Sequence, residues 1–210
     1  MKRHAALALL SLVVLSACSS GQTQTFKYEP AQRSEVGPGK TILLFAADDQ
    51  RDYIVKGEES AAFVGEQQSP TGIPFKVTTR GNRPFAEVVQ EAVQRDLEAA
   101  GFRVIARSEK AAEIGSAIAA AGADKAMSVI VRDFASDTSD VIKLAYSFEA
   151  VVYDHDGNEL LRNATSGNEA FPGSPTNPAK AARQQVPPFF NTKIHQLVTG
   201  NERVVTALTQ

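Results

Sequence analysis

Residues 144–153, LAYSFEAVVY, constrain the fold more than any other stretch of the chain. Leu144, Tyr146, Phe148, Ala150 and Val152 alternate with Ala145, Ser147, Glu149, Val151 and Tyr153. A period of two is the signature of a strand with one face on a core, and it cannot sit on one face of a helix. The segment ends in DHDGNE, residues 154–159, where Asp-Gly chemistry predicts a tight hairpin turn. Residues 160–170 then run back along the same sheet. Residues 135–140, ASDTSD, are read as the turn that precedes the pair.

The front half has a different rhythm. Residues 41–47, TILLFAA, follow a Gly-Pro-Gly-Lys turn and read as a short buried strand. Phe85, Val88, Val89, Ala92, Val93 and Leu97 recur at three- and four-residue spacing, which predicts a helix over residues 84–100. Pro84 suits its start and Gly101 its stop. A strand over 102–107, an alanine-rich helix over 109–121 ended by Gly122, and a strand over 127–134 follow. Short strands around Phe63 and Val77 are joined by QQSPTGIP, a turn-rich loop. Residues 171–178 read as a loop. A last helix starts at 179–186, is broken by Pro187 and Pro188, and resumes over 189–208. This order predicts an α+β fold: a mixed β-sheet with a front βαβ unit, antiparallel hairpins and packing helices.

The single cysteine, Cys18, has an unusual setting. Lys2 and Arg3 precede a nearly unbroken apolar run over residues 5–15, with the small Ser16 and Ala17 before the cysteine. A basic start, apolar middle and small residues form an export signal, and the run is shorter than the roughly 20 residues that span a bilayer. Leu15-Ser16-Ala17-Cys18 resembles the lipobox of bacterial lipoproteins. The resemblance implies cleavage before Cys18, acylation of its thiol and amine, and a membrane contact through N-terminal lipid. Each buried CH₂ is worth about 0.8 kcal/mol, so several chains hold where one binds marginally. Ser19 follows the cysteine, and in the resembling lipoproteins a serine there, in place of aspartate, implies sorting to the outer membrane.

The expected organisation is therefore a signal peptide over 1–17, the lipidated cysteine and a flexible tether over 18–40, and one periplasmic α/β domain over 41–210. The tether, rich in Gln, Thr, Ser, Pro and Gly, would form a coil of roughly 25 Å and stretch to about 75 Å. Of the 22 Lys and Arg residues, Lys2 and Arg3 leave with the signal, so the 24 Asp and Glu residues prevail. An acidic chain is a poor match for nucleic acid. With its one cysteine used for lipid, the chain has no disulfide framework or cysteine metal site.

The candidate binding loop is DDQRD, with Asp48, Asp49, Arg51 and Asp52 just after the first strand, where α/β proteins often hold ligands. Three carboxylates and an arginine could meet a cation or a basic partner. The plainer reading is an Asp–Arg pair that shapes the loop. DHDGNE imitates the start of a calcium loop, but Leu160 and Leu161 stand where ligands should continue. Apart from His4 in the signal, the histidines are His155, in a turn, and His195, on a helix, neither with partners at zinc spacing. No nucleophile elbow or phosphate-cradling loop is present, so no catalytic residue, metal or cofactor is expected.

DDQRD after the first strand, FVGE, PFAEVVQEAVQRDLEAAGFRV and FEAVVYDHDGNEL, together with the lipobox, resemble the YajG-type lipoprotein family of Gram-negative bacteria. The resemblance implies location and fold and carries no catalytic residues. A more distant likeness is to envelope accessory lipoproteins that act by protein contact. The expectation is an outer-membrane-anchored periplasmic lipoprotein, a non-enzymatic accessory protein with an envelope protein as partner. The alternative is a module that binds a small molecule, lipid or peptidoglycan fragment.

Overall fold

The computed structural model describes residues 22–30, 36–69, 71–109 and 113–210. The signal peptide, Cys18 and Ser19 lie outside them. The described residues form one mixed sheet of nine strands with helices on both faces, the α+β architecture expected from the periodicities.

The strands are β1 (Gln22–Gln24), β2 (Thr41–Leu44), β3 (Asp48–Asp49), β4 (Phe63–Gln68), β5 (Pro74–Thr79), β6 (Arg103–Ala106), β7 (Lys125–Thr138), β8 (Val141–Tyr153) and β9 (Glu159–Pro172). The helices are α1 (Asp52–Val55), α2 (Phe85–Ala99), α3 (Ile114–Ala121), α4 (Pro178–Leu197) and α5 (Glu202–Thr209). β2 lies parallel between β6 and β7, with α2 and α3 on the connections, which makes the front βαβ arrangement. β7, β8 and β9 form the antiparallel part.

β7 is the hub. One edge pairs with β8 along almost its whole length, and the other takes β2, β3 and β4 in turn, all parallel. This corrects the expected turn at residues 135–140. The strand runs through ASDT to Thr138, and only Ser139 and Asp140 remain between β7 and β8. Polar residues hold there as strand because β4 on one side and β8 on the other satisfy the backbone, and the buried Ser136 hydroxyl donates to the Val64 carbonyl. Gly65 permits the crossing. Its φ is +145°, and a Cβ would stand 2.1 Å from the Ser136 carbonyl oxygen, so a side chain is excluded on both counts.

The even-numbered residues of β8, from Ile142 to Val152, are buried with α2, α4 and α5 in the main core. Phe85, Phe134, Phe148 and Phe190 pack ring against ring at its centre. On the opposite face α3 covers a smaller cluster of Leu43, Phe45, Ile118, Ala123 and Ala126. Gly101, with φ +89°, turns the chain out of α2 as its position predicts.

Two further expectations need correction. α4 runs unbroken through Pro187 and Pro188. The carbonyls these prolines leave unpaired belong to Arg183 and Gln184, both exposed to water, while Val186, Phe190, Ile194 and Leu197 hold the helix on the core. The chain instead breaks at Thr199-Gly200, and Asn201 caps α5 by accepting from the Arg203 and Val204 N–H groups. The expected tether also loses much of its length. β1 pairs with β5, Phe26 packs edge-on against Phe85, Phe134 and Phe190, and Tyr28 is buried. Residues 22–30 therefore belong to the folded body.

Candidate functional site

The DDQRD loop leaves β2, touches β7 through β3, and turns into the single turn of α1. Arg51 is wholly buried. Its Nε and Nη2 donate to the two Asp49 carboxylate oxygens at 2.8 and 2.7 Å, a bidentate fork. Nη1 donates to the Phe63 carbonyl at 2.6 Å and Nη2 also to that of Ala61 at 3.1 Å. The guanidinium carbon lies 5.1 Å from the Phe85 ring centre and 5.5 Å from that of Tyr53, within cation–π range. Burial opposes this charge, but the bonds and charge of Asp49 outweigh it and Arg51 is held more firmly protonated than usual. The Tyr53 phenol is pushed up to about 12, first by burial, with Arg51 lowering and Asp133 raising it.

The loop's other groups diverge. The Asp48 carboxylate accepts from Gln50 Nε2 at 2.7 Å. Asp52 is exposed and pairs with Lys56 one turn on, at 3.5 Å. The four loop residues named from sequence do not converge on a shared space. Asp49 and Arg51 brace the β4 entry, while Asp52 faces water.

A second polar cluster was missed. The buried Asp96 of α2 accepts from the Tyr28 hydroxyl at 2.5 Å, the Thr199 N–H at 3.0 Å and the Thr199 hydroxyl at 2.6 Å. His195 Nδ1 lies 3.0 Å from the same carboxylate, so His195 has a partner that its sequence neighbours do not reveal. Burial, then the hydrogen bond and charge of Asp96, raise the Tyr28 phenol far above its ordinary range. Asp96 and Thr199 both meet His195 at Nδ1. A nucleophile relay needs acid and hydroxyl on opposite ring nitrogens, so this arrangement joins the N-terminal segment, α2 and the end of α4. The signal available in sequence was an aspartate among the apolar positions of a helix, one residue before Leu97.

The third feature is the outer face of β7–β9. Beyond α3 it carries Glu149, nearly buried, between Arg132 at 3.0 Å and Arg162, which also holds Glu159 at 2.6 Å. Arg132 reaches Gln50 at 2.9 Å and so ties the loop to the sheet. Further along, Ala135, Ala145, Ser147, Ser166, Asn168 and Ala170 leave the face open. A groove of ≈ 630 Å³ runs here between β4 and the β7–β9 hairpins, with Phe63 and Gly65 on one wall and Lys143 and Asn168 on the other. The odd positions of the alternating strand were the signal, since Glu149 sits between Ser147 and Val151.

The calcium-like DHDGNE stretch is a hairpin turn. Asp154 accepts from the Asp156 and Asn158 N–H groups and from Asn158 Nδ2, and the Asn158 bonds foremost hold its carboxyl below the usual range. His155 is exposed beside Asp156. Among the described residues no three metal-ligating side chains gather, and no helix is long and apolar enough to cross a membrane.

No protein-family model and no curated protein matches the chain in sequence. Solved structures do match in shape. A Xanthomonas campestris protein of the DUF330 family superposes with a TM-score of 0.50 at 15% identity, covering 87% of this chain and 98% of that one. A hypothetical protein of Chlamydia trachomatis gives 0.51 at 10% identity, covering 80% and 98%. A lipoprotein of Neisseria meningitidis superposes more loosely, at 0.41 and 13% identity over 73% and 99%. The chain thus shares its fold with the Xanthomonas and Chlamydia proteins.

Proposed function

We propose that the protein is an envelope lipoprotein of the YajG type, anchored through Cys18 in the outer membrane and facing the periplasm, which works by binding another envelope protein and catalyses no reaction. The observation that carries the binding part is β9. This strand has fourteen residues, none buried, and among the described residues it pairs with β8 alone. A long free edge offers a row of backbone donors and acceptors to an added strand. The open face beside it supplies small side chains and a groove for the partner's side chains. The anchor part rests on the Leu15–Cys18 pattern behind its apolar run.

A photo-crosslinking residue at Asn168, on the exposed side of β9, tests the partner in intact cells. Capture of one discrete envelope protein supports the reading. Absence of any adduct at Asn168 and also at Ala164 rejects β9 as the contact. For the anchor, Cys18→Ala should abolish acyl labelling and leave the protein unprocessed or released from membranes. Unchanged membrane retention in that variant refutes it. A second reading takes the groove itself as a pocket for a small molecule, lipid or peptidoglycan fragment, since its size matches ligand clefts of about 300–1,000 Å³. A bound small ligand in native mass spectra, with no crosslinked protein, would favour it.

A further inference from the structure

The docked N-terminal segment shows at which end the chain enters the folded body. β1 runs parallel to β5, with Gln22 opposite Val77 and Gln24 opposite Thr79. The chain therefore enters β1 from the side where β5 begins, at the tip of the β4–β5 hairpin. Only Ser19, Ser20 and Gly21 separate Cys18 from β1. Four residues reach at most about 14 Å. Cys18 stands as many residues ahead of Gln22 as Ile73 stands ahead of Val77.

That tip is apolar where it meets water. Ile73 is 57% exposed and Phe75 39% exposed, with Pro74 between them. Ser69 and Gly72 of the tip share a cleft with Ser139, Asp140, Ser174 and Pro175, so the β7–β8 turn and the loop after β9 lie at the same end. Val141, which opens β8 opposite Pro172, is exposed there too. Three of the large apolar side chains exposed among the described residues thus gather at one end, the end from which the chain enters β1. Asp140 at this end bonds to Ser139, Lys76 is paired with Glu59 at 2.7 Å, and the exposed Glu66, Asp137 and Lys143 lie in register further from the tip on β4, β7 and β8.

We infer that the β4–β5 hairpin tip, through Ile73 and Phe75, is a second membrane contact that dips into the bilayer interface beside the lipid anchor. This rests on the acylation of Cys18 proposed above. Two contacts on one end hold the body in a set orientation, with the sheet axis steep to the membrane and the β9 edge turned sideways into the periplasm. A single flexible tether would leave the body free to tumble.

The chain has no tryptophan, so Phe75→Trp places a lone reporter at the tip, with Ile73→Trp as a second and Leu160→Trp, at the β8–β9 turn, as the remote control. The full chain is expressed with its signal, its acylation read by intact mass, and the protein reconstituted into phosphatidylethanolamine–phosphatidylglycerol vesicles containing phosphatidylcholine brominated near the headgroup. The tip reporters should shift to the blue and be quenched, at a depth of about 5–10 Å into the headgroup and acyl boundary. The control should remain unquenched. Acylated, vesicle-bound protein whose two tip reporters stay unquenched overturns the hairpin contact and leaves the anchor standing. A mature mass without acyl chains overturns the anchor reading, and the hairpin contact with it. A blue shift that depends on protein concentration and not on lipid assigns the tip to a protein contact and also rejects the proposal.

Discussion

Replacing Arg51 with methionine tests whether the DDQRD loop is a brace or a binding site. The substitution keeps most of the apolar stem, so the packing under Phe85 and Tyr53 survives. What goes is the charge and its four short bonds, two to Asp49 and one each to the carbonyls of Phe63 and Ala61. Asp49 is left only 14% exposed with its cation removed. Breaking one side of such a pair costs about 3–5 kcal/mol, a large share of the 5–15 kcal/mol that typically separates folded from unfolded chains. With a denaturant slope of about 2 kcal/mol/M, the urea midpoint should fall by roughly 2 M. Far-UV circular dichroism on the full chain reads it. Arg51→Lys should recover part of the loss, since a point charge cannot reproduce the planar fork. Asp52→Asn should shift stability by less than about 0.5 kcal/mol, as befits an exposed surface group. An Arg51→Met midpoint within experimental error of the parent would show that the pair does not hold the loop, and would return Asp49 and Arg51 to the list of binding groups.

Other outcomes follow from single features. Leu97 is fully buried on the α2 face, so Leu97→Ala should cost about 2–5 kcal/mol by chemical denaturation. Tyr28 and Tyr53 keep their protons in the folded state beyond the tyrosine pKa of about 10 in the unfolded chain. Above that pH the unfolded chain releases protons the folded chain retains, so stability should be full below about pH 10 and fall as pH rises past it. Tyr28→Phe should lower stability at pH 8 by about 1.5–3 kcal/mol, through the lost bond to Asp96. It should also flatten the alkaline decline by up to about 1.4 kcal/mol per pH unit. Denaturation midpoints between about pH 8 and 11 check both effects, and an unchanged slope would mean that Tyr28 does not hold its proton against Asp96.

The chain's periodicities alone determined α2, its glycine exit, the β8–β9 hairpin and the α+β class. Each of those signals is local: a repeat of 3.6 or 2, or a turn residue whose backbone freedom is needed where it stands. The Asp154 turn was equally legible, because its carboxylate binds N–H groups within four residues. Tertiary structure decided the rest wherever a distant partner satisfied a group that local chemistry would have left unpaired. ASDT became strand because β4, far earlier in the chain, pairs with it, Gly65 opposite Ser136 and Gln67 opposite Thr138. Pro187 and Pro188 stayed within a helix because the core holds one side and water reaches the other. The N-terminal segment, polar enough to read as a loose tether, docked because Phe26 enters a ring of four phenylalanines and Tyr28 finds Asp96. Asp96, His195 and Thr199 are far apart in sequence or lack any motif spacing, and only the packing of α2 against α4 brings them onto one carboxylate. The same holds for Ile73, which reads as part of a turn-rich loop, and Phe75, which reads as an ordinary strand residue; the role proposed for them comes from the parallel pairing of β1 with β5.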